Sequence, residues 1–590
     1  YEAPQGELEA QLAAIWAELL KVERVGRHDS FFELGGHSLL ALGLVERMRR
    51  QGLHADVKLL FSSPTVAELA LSVATDAKDI VVPPNLIPPG ATSITPEMLT
   101  LARLDQAGID RVVAMVEGGA AQVQDLYPLT AAQEGILFHH RMGSGSDAYV
   151  EAGLMACSSR ERVDSFLQAL QQLVDRHDIL RTAILWEGLD EPLQVVHRRA
   201  ALPVSFLDLD PADGEVAQQL AQRMDPRRTR IDVRQPPMLR VGVAHDPVQG
   251  RWLMRLLSHH LVMDHTTQEL LIQEAGLIQA GRADQLLPPV PFRDFVARAR
   301  LGVSDDEHRA FFSRMLGDVE EPTAPFEILE TEVSGLEMKE ARLPLPASTA
   351  RAVRELARRS GVSVASVMHL AWAMVIAKVS SRQSPVFGTV LFGRMQGGPG
   401  ADRVWGMFIN TLPVRIDVDA APVQQSLRRV HALLSELLHH EHASLALAQR
   451  CSGVRHGQPL FTSLLNYRYG VFEEQVQAHN AELEVLGAEE RSSFPICLDV
   501  DDLGEGFSLN AQVEGGLDPL RVCRLMEASL DGLLQALREA PQTPVAHIDI
   551  LPAAEREQVL RGWNQTQEAL PLDRCVHELI EAQVSRDGAA

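Results

Sequence analysis

Apolar residues first recur at helical spacing. Leu8, Leu12, Ile15, Trp16 and Leu19 fall on one stripe. A second stripe opens at Ser38 and runs through Leu39, Leu42, Val45 and Met48. A third begins near Thr65, where Thr65 and Glu68 have the spacing of a capping box. Residues 1–78 are therefore predicted to form a small all-α unit. The stretch Val81–Gly90 then carries Pro83, Pro84, Pro88 and Pro89. Proline stiffens a chain and withholds an N–H donor, so 79–124 reads as a linker, with a helical patch from Pro96 to Val116. From Asp125 the pattern mixes types. Val163, Phe166, Leu167, Leu170, Leu173 and Val174 mark an amphipathic helix. Trp252–Leu257, Val386–Phe392 and Leu412–Val418 read as strands. So does Phe507–Val513, where Phe507, Leu509, Ala511 and Val513 alternate with polar residues. The body is predicted to be α/β or α+β. Residues 551–590 turn polar and helical again, as a connecting segment would.

Composition narrows the function. Hydrophobic residues make up 46% and charged residues 23%, a globular balance. The net charge of -24 argues against a nucleic-acid partner, which needs clustered Lys and Arg. Tyr1–Leu8 is polar and acidic, unlike a signal segment. The most apolar helical stretch, Val364–Val379, contains Ser366, His369 and Lys378, so a buried helix is expected and no membrane partner. Five scattered cysteines without a CxxC pair imply neither a disulfide framework nor a zinc cluster, and fit a reducing cytoplasm.

Two segments carry candidate chemistry. In Asp29-Ser30-Phe31-Phe32-Glu33-Leu34-Gly35-Gly36-His37-Ser38-Leu39-Leu40, two glycines precede a serine that opens a helix. Glycine permits a tight turn, and the helix start offers free N–H groups to a phosphodiester. A plain N-cap serine would satisfy the same pattern. In Ser258-His259-His260-Leu261-Val262-Met263-Asp264-His265, a predicted strand delivers two histidines and an aspartate to a turn. Three readings fit: polar surface, a metal site of His260, Asp264 and His265, or acyl transfer with one imidazole beside an attacking amine. No further ligand cluster supports the metal, and none is expected.

The first segment, DSFFELGGHSLLA, resembles the core motif of peptidyl carrier domains. That resemblance implies that Ser38 carries 4'-phosphopantetheine, attached by a phosphopantetheinyl transferase. Asp125 to Leu551 resembles the condensation domain of nonribosomal peptide synthetases in a series of motifs. These are Tyr127–Gly135, Arg176–Thr182, His259–Asp264, Phe292–Phe295, Gly406–Pro413, a weak sixth at His440–Leu445, and Leu464–Tyr467. Where the family usually has glycine after the aspartate, this chain has His265.

The resemblance implies a carrier four-helix bundle followed by a two-lobed α/β (α+β) domain, each lobe like chloramphenicol acetyltransferase. The lobes are expected at 125–290 and 291–550. His260 would be the active-site imidazole, with His259 a second catalytic candidate. Asp264 would pair structurally with an arginine, for which Arg415 is the candidate. Asn466 would lie in the cleft, and Arg181 would support the same region or form a solvated ion pair. The donor would be an aminoacyl or peptidyl group on Ser38, and the acceptor an aminoacyl group on a downstream carrier. Arg556–Gln567 resembles the lead-in to an adenylation domain, which implies adenylation domains as neighbours.

Finally, Phe138–Asp147 resembles the extended histidine motif of dual epimerisation/condensation domains, with Arg141 and Ser146 departing from it. It would make His139 and His140 candidates for inverting the donor α-carbon before condensation. A condensation-only domain and a non-catalytic recruiting domain of the same fold are the alternatives.

Overall fold

The computed structural model describes the chain except residues 37, 54–59, 61–63, 74–79, 144–146, 330–337, 397, 399, 471–482, 490–491, 493, 568–572 and 589–590, and the side chains of residues 38 and 39. The first unit contains the helices Gly6–Leu20, Ser38–Arg50 and Val66–Ser72. They supply three members of the expected four-helix bundle, and most of 54–63 lies outside the described residues. Trp16 and Phe31 meet edge to face at 5.2 Å in its core, both fully buried. Thr65 caps the third helix by accepting from the Glu68 N–H.

The remainder forms two lobes around separate sheets. In the first lobe lie β1 (Val123–Pro128), β2 (Val150–Cys157), β3 (Thr182–Leu185), β4 (Leu193–His197), β5 (Val204–Leu207), β6 (Leu239–Asp246) and β7 (Arg251–His259). The second lobe holds β8 (Lys339–Pro344), β9 (Val386–Leu391), β10 (Asn410–Arg415) and β11 (Ser463–Tyr469). After these come β12 (Glu484–Glu489), β13 (Ile496–Asp502) and β14 (Phe507–Val513). A three-stranded sheet runs β1-β4-β3, a five-stranded sheet β12-β2-β7-β6-β5, and a six-stranded sheet β10-β9-β11-β13-β14-β8. The helix Val364–Val379 is buried along nearly its whole length and packs with Pro519–Glu539 behind the six-stranded sheet. Its apolar run is a core, as its length predicts. Among the described residues no single helix is long and apolar enough to cross a membrane.

Among the described residues, β12 and the loop after β9 both cross between the lobes. β12 leaves the second lobe's chain and pairs antiparallel with β2, extending the first lobe's sheet. The loop after β9 sends Val404, Trp405, Met407 and Phe408 into the first lobe's core, where Trp405 stacks on His177 at 3.8 Å.

Two sequence boundaries need correction. Residues 79–124 are more than a linker: Ile87, Ile94, Leu99, Ile109, Val112 and Val116 are buried against Leu126, Leu193 and Val195 of the three-stranded sheet. Prolines removed donors there, yet the carbonyls of Pro83 and Pro88 accept from Arg293 and Arg198. The helix Phe292–Leu301, expected to open the second lobe, buries Phe292, Phe295 and Val296 in the first lobe's core.

Candidate active site

Gly35 has a φ of +97°, and a Cβ on Gly36 would lie 2.3 Å from the Phe31 ring. Only glycines make this turn, and it delivers Ser38 as the first residue of a 13-residue helix. A helix start with unpaired N–H groups and a positive dipole end suits a phosphodiester, so the residues present fit a phosphopantetheine arm on Ser38.

β7 ends at His259, with β2 beside it in antiparallel register. His259 is fully buried. Its Nδ1 accepts from the Leu261 N–H at 3.1 Å, so Nε2 carries the hydrogen and donates to Asp147 Oδ2 at 3.0 Å. Burial lowers the His259 imidazole below its ordinary range, against the pull of Asp147. The next residue turns the other way. The His260 backbone N–H donates to the Tyr149 carbonyl, and its partly exposed ring faces a cavity. Its Nδ1 donates to the Met263 carbonyl at 3.0 Å, and Nε2 lies 2.6 Å from Glu151 Oε1.

Asp264 caps the helix His265–Gln279, accepting from the Thr267 N–H at 2.8 Å and the Thr267 hydroxyl at 2.7 Å. Its cationic partner is Arg394, at 3.1 Å, with both side chains essentially inaccessible. Arg394 also donates to the Ala401 and Val404 carbonyls and lies 3.8 Å over the Phe408 ring. Arg415 is therefore not that partner. It sits at the far end of β10, about 17 Å along the strand from Asn410 at the cleft, and pairs with Asp318. His265 opens its helix without a positive φ, so the missing glycine leaves the Asp264 turn intact. With Asp264 consumed by Arg394 and Thr267, it does not join His260 and His265 in a metal set.

The cavity, about 420 Å³, is walled by His139, Tyr149, Glu151 and His260 from the first lobe and by His369, His431, Asn466 and Asp499 from the second. Asn466 donates to Asp499 at 2.9 Å. Arg181 is elsewhere: buried, it donates to the Val174 carbonyl, the Gln124 side chain and the His197 carbonyl. It is a bracket inside the first lobe, neither a cleft residue nor a solvated ion pair.

His139 and His140 part company. The helix Ala131–Met142 starts with a capping box of Thr130 and Gln133. Near its end His139 faces the cavity, its ring 5.9 Å from Tyr149. His140 turns inward, and its Nδ1 donates to Asp147 Oδ2 at 2.5 Å. The one oxygen of Asp147 thus joins His140 to His259. Burial would raise this carboxyl, but the two imidazoles outweigh it and hold it well below the usual carboxylate range. Ligand atoms of these three residues lie within 4.8 Å of one another, and direct hydrogen bonds account for the spacing without an ion. Ser144, Gly145 and Ser146 of this motif lie outside the described residues.

The helical unit rests at the rim of this cavity. Phe32 meets His431 edge to face at 6.2 Å, and Glu46 accepts from the Gly400 N–H at 3.2 Å. Met395 and Ala401 join the helical unit's apolar core. Among known families, residues 123–560 match the Condensation domain model and residues 10–73 the Phosphopantetheine attachment site.

The chain belongs to the condensation-domain family.

It pairs that domain with an N-terminal carrier whose prosthetic group is 4'-phosphopantetheine. The chain is 48% identical to malpinin synthetase and 46% identical to malpibaldin synthetase, both of Mortierella alpina. Those matches cover 100% and 99% of this chain but 8% and 10% of the relatives, so it spans a tenth or less of their length. Among solved structures, the condensation domain from the Monacolin K polyketide synthase MokA superposes with a TM-score of 0.57 at 19% identity, covering 72% of this chain and all of that one. The X-domain from teicoplanin biosynthesis gives 0.59 at 19% identity over 72% of this chain and 97% of that one. At these identities the likeness speaks for the two-lobed fold alone.

Sequence reasoning missed Arg394 and Glu151. Glu151 had a visible signal, a lone charge in the otherwise apolar run Val150–Cys157 beside the histidine strand. Arg394 had none, because its pairing spans 130 residues.

Proposed function

We propose that this chain carries out one condensation step of nonribosomal peptide synthesis, joining the acyl group of a thioester donor on Ser38 to the amine of a downstream carrier-bound aminoacyl acceptor. The observation that carries this reading is the placement of His260 on a cavity whose rim holds the carrier. The phosphopantetheine arm supplies the thiol that bears the donor. The residues supply the rest. The cavity confines both reactants, and proximity contributes ~7–11 kcal/mol in favourable cases. His260, fixed by the Met263 carbonyl and Glu151, serves proton transfer or orients the amine. The Asp264–Arg394 pair acts on architecture, tying the histidine turn to the second lobe.

His260→Ala is expected to suppress amide formation while Ser38 still accepts pantetheine, as read by intact mass. Full turnover by that variant with a loaded carrier sinks the reading.

We further infer a dual activity, inversion of the donor α-carbon before condensation. The thioester acidifies the Cα–H, and two acid–base groups are needed. His139 and His260 both border the cavity, and each ring neighbours that of Tyr149. His140 holds the site through Asp147 rather than by contact with substrate. With an L-aminoacyl group on Ser38, the condensed product should carry D configuration at the donor residue. Retained L configuration leaves condensation alone. The exposed Leu560 and Trp563, in the stretch that resembles an adenylation-domain lead-in, support an adenylation domain as the neighbouring unit.

A further inference from the structure

Glu151 lies in β2 opposite Ser258 of β7, one register position from His259. It is 6% exposed, and its two oxygens are both engaged. Oε1 lies 2.6 Å from His260 Nε2, and Oε2 accepts from the Gln268 side chain at 2.5 Å. The His260 ring is thereby oriented at both nitrogens. A carbonyl can only accept, so Nδ1 facing Met263 carries a hydrogen. At Nε2, a bare nitrogen lone pair would repel a carboxylate oxygen at this distance. A proton therefore lies between them.

We propose that Glu151 is a positioning residue for the condensation step, holding His260 Nε2 at the cavity wall and keeping a proton on the His260–Glu151 pair between turnovers. The inference rests on His260 serving amide formation. When the amine attacks the thioester carbonyl, a C–N bond forms and the C–S bond breaks. The pair would give its proton to the departing thiolate and take up the amine's proton in its place. Amide and thiol are the products, and the pair ends as it began, with no oxidant or co-reactant needed.

Other charged groups face this pair. His259 lies behind it, and His265 sits beside it, paired with Glu269 at 3.2 Å. His139 shares the first-lobe wall, and His369, His431, Asp499 and Arg468 face it from the second lobe. Asp499 is engaged by Asn466 and Arg468, and His265 by Glu269, whereas Glu151 touches the reactive ring.

The test uses the full chain with L-leucyl-pantetheine loaded on Ser38 and leucyl-N-acetylcysteamine as the soluble amine. Rates are followed from neutral to alkaline pH for wild type, E151Q, E151D and H260A. The carboxylate favours the protonated ring, so its removal lowers the pH at which the pair loses its proton. E151Q should slow the reaction on the order of 10²-fold at neutral pH. Its alkaline limb should move down by about one to three pH units. E151D should keep the limb near the wild-type position. In the unloaded wild-type chain, ¹⁵N-imidazole titration, assigned through H260A, provides a readout that does not depend on E151Q folding. The signal lost in H260A should titrate above the ordinary ~6.5. An unmoved limb in E151Q beside an inactive H260A overturns the role of Glu151, as does an ordinary or lowered titration of that signal. An active H260A overturns the condensation reading instead.

Discussion

Asp147 accepts from two imidazoles through one oxygen, and both donors are buried. Removing the charge leaves two ring N–H groups facing an amide, and an unsatisfied buried donor costs about 1–3 kcal/mol. Asp147→Asn should lower the stability of the chain by about that amount in chemical denaturation, without preventing pantetheine attachment at Ser38. Buried histidines also set the pH response. Burial takes His369 from the ordinary value down to about 4 and lowers His259 as well. An imidazole lowered in the native state stays neutral while the unfolded chain binds a proton, so stability is full above ~6.5 and is lost as pH falls toward 4. Asp178 works against this, because burial pushes its carboxyl up to about 6. Burial also lowers His177, His197, His308 and His442, and among the described residues Asp178 is the one carboxyl raised as far as about 6, so the denaturation midpoint should be lower at about pH 5 than at about pH 7.5. A flat or rising midpoint contradicts the assignment of neutral buried rings. His139 and His140 also show what a sequence leaves open at this scale. They are adjacent in the chain, but a helix turns about 100° per residue, so one meets the cavity and the other the core.

At the scale of elements, the two lobes are fastened by a buried ion pair and by exchanged chain. Asp264 belongs to a helix of the first lobe, Arg394 to the loop after β9. Breaking such a pair from one side leaves an uncompensated charge and costs ~3–5 kcal/mol. Arg394→Met and Asp264→Asn should each destabilise the chain by about that much, and the double variant by less than their sum, in a denaturation cycle. Additive losses would show that the pair does not act as a unit. The elements themselves were legible: the stripes of the helices and the alternation of Phe507–Val513 read directly into the fold. Their partners were not. An arginine for Asp264 was expected, but Arg415 and Arg394 differ only in where β9, β10 and their loops lie in space. The 79–124 segment fails similarly. Its prolines stiffen the chain and withhold donors, which reads as a linker, while Ile87, Ile94 and Ile109 bury against a sheet whose strands come later in the chain.

For the whole molecule, the carrier and the two-lobed domain were each readable from their motifs, but no motif encodes how they touch. The carrier meets the second lobe through Phe32, Glu46, Met395 and Ala401, beside the cavity that His260 borders. Ala401→Glu would put a charge into that apolar contact. It should slow transfer from a donor loaded on Ser38 while sparing transfer from a soluble thioester donor. Equal effects on both donors would mean that the contact does not serve delivery. The most direct measurement places a chloroacetyl-aminopantetheine arm on Ser38 and maps the alkylated residue by peptide mass spectrometry. An adduct on His260, lost in His260→Ala, is the expected result. An arm that stays unreacted, or alkylates only residues outside the cavity, contradicts it.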